Sequence, residues 1–270
     1  MDSKKDEIHS IQYPNGDVYQ GPVVNGKRDG EKCIYYYTNG DRFEGPFVDG
    51  EMTGKGVLLC ANGDVYEGEF VNNKMTGNGK LSYTNIQVVH EGQFIDGVLE
   101  GLGTEKNPNG TFYEGWFKNG ELDGCGIYNY LNGVFEGIYK NGDKVYGIMR
   151  FKNGRIFEGH FENNRMTKGV MHYPDGSVFE GEFVNGKKSG YGVMRYPNEN
   201  VYKGNFVDDK KSGKGIFFYA DGGIYQGEFS NDMEYGFCIY GYPQDGVLKE
   251  ENIYIGNLCH GIFSHFKPRI

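Results

Sequence analysis

Two stretches of this chain have the spacing of a phosphate-binding loop. Gly181-Glu182-Phe183-Val184-Asn185-Gly186-Lys187 is one, and Gly21 to Lys27 is the other. A working loop needs Ser or Thr next, to hold magnesium, and then a helix whose first amides point at phosphate. Lys188 and Arg28 occupy that place and no helical pattern follows, so no nucleotide site is expected. Glutamates recur at Glu44, Glu67, Glu91, Glu114, Glu136, Glu158 and Glu180. Carboxylates do acid–base chemistry only where a pocket drives two pKa values apart; an evenly spaced series on one polar face offers equivalent, solvated groups. Cys259-His260 with His265 could begin a zinc site, but no second paired cluster accompanies them, and Cys60 and Cys125 stand isolated. Asn109-Gly110-Thr111 is a glycosylation sequon, but MDSKKDEIHS has no secretory apolar core, so no modification is expected. The expectation is a non-catalytic chain with no metal site and no cofactor.

The even spacing is the more telling feature. An aromatic-x-Gly signal starts at Tyr19, Phe43, Tyr66, His90, Tyr113, Phe135, Phe157, Phe179, Tyr202 and Tyr225, with 22 to 24 residues between starts. Glycine stands two positions after every start, and an apolar residue, usually Phe, stands four after. Each repeat has a period of two: Tyr66, Gly68 and Phe70 share one face, Glu67 and Glu69 the other. Gly77, Gly79, Leu81 and Tyr83 alternate in the same way further on. Val184-Asn185-Gly186-Lys187 and Tyr173-Pro174-Asp175-Gly176 are turn signals, because Asn, Asp and Gly accept positive φ. Two antiparallel strands per repeat follow, with glycines making room for the rings of the neighbouring strand.

Composition agrees. Of 270 residues, 45 are Gly, 22 Tyr and 19 Phe, a mixture that favours strands and breaks helices. A formal charge of −9 disfavours nucleic acid as a partner. The five cysteines are odd in number and dispersed, which suits a reducing compartment. No apolar run approaches the ~18 residues of a spanning helix, and MDSKKDEIHS lacks a secretory core. A cytoplasmic protein, neither secreted nor membrane-spanning, is expected.

The motif Tyr66-Glu67-Gly68-Glu69-Phe70, with Gly77-x-Gly79 and a following aromatic and turn, resembles the MORN (membrane occupation and recognition nexus) repeat over nearly the whole chain. The resemblance implies an elongated, twisted, single-layer antiparallel sheet of stacked hairpins with a concave aromatic groove. It also implies a protein-binding scaffold or membrane platform, of the kind found in cytoskeletal, ciliary and flagellar assemblies. The expected organisation is a polar tail over 1–10, a half repeat and ten repeats over 11–246, and a degenerate capping repeat over 247–270. His90 departs from the pattern, as do the short repeats that keep only Gly147 and Gly169 of the Gly-x-Gly pair, and Cys238 in the tenth.

Candidate contacts follow. Phe70, Phe94, Tyr113, Phe117, Tyr202 and Phe206 would line the groove and hold a protein partner, a helical segment among the options. The alternative is binding of anionic phospholipid through Lys187, Lys188, Lys210 and Lys211 of the eighth and ninth repeats. Nine residues after the start, Met52, Met75, Leu99, Leu122 and Met166 form either an apolar partner stripe or caps folded back on their own hairpins, the latter favoured. A terminal repeat with an open strand edge could also join two copies end to end.

Overall fold

The computed structural model describes residues 7–243, 252–259, 262–263 and 267–268. Among these the chain is all-β, with no α-helix. It forms two compact bodies, Met1–Leu131 with Ile138–Gly142, and Asn132–Gly137 with Asp143–Ile270. In the first body, Val65–Val71 pairs with Lys74–Tyr83, which pairs with Val88–Ile95, then Val98–Lys106, Phe112–Lys118 and Glu121–Tyr130, all antiparallel. In the second, the same succession runs from Asp143–Phe151 to Ile253–Cys259. Neighbours in sequence are neighbours in the sheet, as a chain of hairpins requires.

The turns form as their residues dictate. Asn185 and Gly186 take φ of 50° and 77° between the paired Val184 and Lys187, the two-residue turn whose twist matches its strands. In the other kind of turn, the Tyr173 amide donates to Ser177 at 2.9 Å and the Gly176 amide to Tyr173 at 3.0 Å.

Seven of the hairpins are built around a ring seated on two glycines, and beneath Tyr19 and Tyr225 the second glycine is replaced by Cys33 and Cys238. Gly68 and Gly79 face each other across the ladder, and a Cβ on Gly68 would lie 2.5 Å from the Tyr66 hydroxyl and 2.6 Å from the Gly79 Cα. At this seat only hydrogen leaves room for the ring. The seated rings then alternate with the Phe four residues on. Tyr66 stands edge-to-face with its own Phe70 at 5.3 Å and with Phe94 of the next repeat at 5.2 Å; Phe179 does so with Phe183 at 5.2 Å and Phe206 at 5.0 Å. Such pairs add about 0.5–1.5 kcal/mol each beyond the area they bury. One ladder of this kind is the core of each body.

The departures from the repeat have local causes. Phe70 opposes Met75 while Gly68 opposes Gly79, so the second strand bulges by two residues, and Gly77 there takes φ of 84°. In the short repeat, Phe161 opposes Met166 and Gly159 opposes Gly169, a bulge of one. The glycine missing from that repeat is the bulge glycine; the one kept is the seat. At His90 the ring is replaced, and the Leu99 side chain fills its place, 3.1 Å from where a Cβ on Gly92 or Gly103 would lie. His90 instead pairs with Glu105 at 3.3 Å, whose carboxyl this hydrogen bond holds below its ordinary value.

The seating has a consequence for pH. Burial pushes the Tyr66 and Tyr113 phenols up to about 12 from 10.0, and raises those of Tyr19, Tyr202 and Tyr225 further still. A folded pKa above the unfolded one gives stability that is whole below pH 10 and is lost as pH climbs through the folded value. Between about pH 10 and 12 the β circular-dichroism signal and the rise in phenolate absorbance should therefore move together. Complete phenolate formation with the β signal intact would contradict the seating.

Candidate interaction surface

The face opposite the rings is the one left open. Alternation places Ile34, Glu44, Val57, Glu67, Lys80, Glu91, Thr104, Glu114 and Ile127 there, each opposite the next across successive strands of the first body. In the second body the corresponding row is Ile148, Glu158, Val170, Glu180, Val193, Lys203, Ile216, Gln226 and Ile239. Opposite charges meet in the first row at Glu67, Lys80 and Glu91. The Lys106 ammonium lies 3.6 Å from Glu91.

Part of this face is concave. Residues between Glu31 and Lys106 line a trough of about 1210 Å³ in the first body, with Gly45, Gly56, Gly68 and Gly79 on its floor and Glu44, Lys55, Glu67 and Lys80 on its sides. The missing side chains of these glycines face the rings, and their backbone forms the trough's floor. The trough offers polar and charged side chains beside exposed backbone.

The six aromatics expected to line a groove lie elsewhere. Phe70, Phe94, Tyr113, Phe117, Tyr202 and Phe206 are between 0% and 2% exposed, because each is a rung of the ladder covered by rings of adjacent repeats. They have no surface to give a partner. The residues nine after the start do fold back: Met52 and Leu99 are buried, and Met75, Leu122 and Met166 half-buried. Where that position is basic, the cation lies over the rings.

This divides the lysine cluster. Lys188 stands 5.6 Å from the Phe206 ring centroid and Lys211 4.7 Å from that of Phe217, and burial lowers the pKa of Lys211. Lys187, ion-paired to Asp208 at 3.3 Å, and Lys210 stay exposed in the turns. Lys203 and Lys214 belong to the opposite face. The cluster is compact in sequence and spread over three surfaces in space.

Other side chains on the open face escaped the sequence reading. Leu102 and Trp116 oppose each other across the ladder, and both are largely exposed. The signal was there: Trp116 stands three residues after a start, where other repeats carry Glu69, Glu182 or Glu228. Among the described residues no group of three or more His, Cys, Asp or Glu could hold a metal; His260 and His265 lie outside them. Also among the described residues, no helix is long and apolar enough to cross a membrane.

A profile of the MORN repeat matches residues 19–42, 43–65, 66–85, 90–112, 113–134, 157–178, 179–201, 202–224 and 225–247. The chain belongs to the MORN repeat family. The profile passes over 135–156, yet the structure builds a MORN hairpin there: Phe135 is fully buried, its ring lies against Gly137 and Gly147, and it meets Phe161 edge-to-face at 5.1 Å. No curated protein matches this MORN chain. Among solved structures, the wild-type TCP10 domain of Danio rerio CPAP in complex with a peptide of Danio rerio STIL is 14% identical, covering 82% of this chain and 94% of that one, with a TM-score of 0.49. The same domain without peptide is 16% identical over 72% of this chain and 93% of its own, with a TM-score of 0.44. At these scores the likeness carries no argument about partners.

Proposed function

We propose that this MORN protein is a non-catalytic scaffold that holds a protein partner on its open, glycine-floored face, within a cytoskeletal or ciliary assembly. The observation that carries the reading is the division of labour between faces. Every seated ring is spent on the ladder, while the opposite face keeps a trough along which Glu67, Lys80 and Glu91 alternate in sign. Such alternation supplies orientation and specificity for a polypeptide and little attraction for a uniformly charged surface. The assembly context is supported by family membership alone. A lipid reading through Lys187, Lys188, Lys210 and Lys211 finds less support, since two of these four lie over rings, and a charge of −9 opposes an anionic bilayer.

The test reverses charges on the trough wall. Glu67→Lys with Glu91→Lys, both exposed, sets like charges against Lys80 and Lys106 and should cost about 1–2 kcal/mol of stability, leave the β circular-dichroism signal unchanged at room temperature, and abolish capture of the stoichiometric partner that the parent retains from native extract at high salt. Capture undiminished in the double variant would refute a partner on this face.

A further inference from the structure

The open face changes sign towards the end of the second body. One residue after the start, seven repeats carry Glu, the first and tenth carry Gln20 and Gln226, and the ninth carries Lys203. Twelve residues after the start, the last three repeats place Tyr191, Lys214 and Phe237 at one equivalent position. Tyr191 is 59% exposed and Phe237 64%, and Lys214 is exposed between them. Together with Lys203, Ile216 and Ile239 they line a depression of about 540 Å³. The carboxylate on its wall is Glu228, opposite Lys214 in the ladder. The depression is therefore an apolar, basic, apolar series with cationic excess.

Its spacing selects a ligand. Equivalent positions in successive repeats are two strands apart, about 9.6 Å. A polyproline-II chain has three residues per turn rising 3.1 Å each, so every third side chain faces the same way at intervals of about 9.3 Å. An extended strand presents same-face side chains about every 6.6 Å, and a helix about every 5.4 Å. Neither keeps step with this surface. Aromatic walls are also the chemistry on which polyproline-II segments dock.

We propose that this depression holds an acidic polyproline-II segment of a partner protein running across the strands. Apolar residues or prolines rest on Tyr191 and Phe237, and an Asp or Glu between them meets Lys214, in the pattern apolar-x-x-acidic-x-x-apolar. The proposal rests on the scaffold reading and adds the partner's chemistry at a second place on the same face.

The probe is a fluorescein-labelled peptide with Pro at the outer contact positions and Glu at the central one, titrated against the full chain by fluorescence polarisation. Changing the peptide's Glu to Lys, or moving it by one residue, should weaken binding about tenfold, the loss of one charge pair worth ~1.4 kcal/mol. Lys214→Glu should cause the same loss and restore the Lys-bearing peptide, with circular dichroism unchanged. Absence of saturable binding, indifference to the position of the Glu, or failure of the charge exchange would overturn the proposal. So would phosphatidylserine vesicles, or a second copy of this chain, binding in a Lys214-dependent way while the peptide does not. Partner capture lost on Glu67→Lys with Glu91→Lys would leave the scaffold reading standing whatever this probe does.

Discussion

Phe157→Ala should destabilise the protein by about 4 kcal/mol, a large share of the stability of an ordinary domain. The ring is fully buried, lies against Gly159 and Gly169, and stands edge-to-face with Phe161 and Phe183, each at 5.3 Å. Truncation loses the transfer energy of the ring and leaves a cavity. Glycines have no side chains to move into it. The informative comparison is Trp116→Ala. Trp116 is the sole tryptophan and the largest side chain in the protein, but it stands half exposed on the open face opposite Leu102, so its loss should cost only about 1 kcal/mol, the scale of one cross-strand pair. Denaturant unfolding of the two variants checks both values. A Trp116→Ala effect equal to that of Phe157→Ala would show that the open face is part of the core.

Gly215→Ala is expected to cost about 3 kcal/mol for the addition of one methyl group, at the upper end of what overpacking exacts. The new Cβ would lie 2.5 and 2.8 Å from two carbons of the Tyr202 ring and 2.6 Å from its hydroxyl. Tyr202 cannot swing aside, because Phe206 at 5.1 Å and Phe229 at 4.8 Å hold it edge-to-face. Gly215 has no left-handed φ, so the cost is purely steric. Gly26 makes the contrast: it has φ of 77° with no atom within 4 Å of an added Cβ, and Gly26→Ala should cost only the ~1 kcal/mol of a left-handed alanine. Equal losses at the two positions, measured by denaturant titration, would mean that the ring is not seated on glycine.

The repeat, its two strands, its turns and the reason for its glycines were legible in the sequence, because each rests on local chemistry: the alternation of Tyr66, Gly68 and Phe70, or the Asn185-Gly186 turn. Which aromatics face outward was not legible. Tyr113 and Phe117 have the pattern of a half-exposed face, and only the rings of adjacent repeats, brought in by stacking, bury them. The lysines show the complementary failure. Lys187 and Lys188, or Lys210 and Lys211, are adjacent in sequence, and the period of two sends one of each pair to the rings and leaves the other exposed. The sign change at Lys203 was written in the repeat alignment all along, but it has meaning only once that row is known to face outward.

The most direct test of the central claim, that the rings are core and the opposite face is contact surface, is carbene footprinting of the full chain with and without the partner captured from native extract. The account predicts protection at Glu67, Lys80, Glu91 and their row, with the seated rings unlabelled in both states. Labelling of Phe70 or Tyr113 in the free protein, lost on binding, would contradict it.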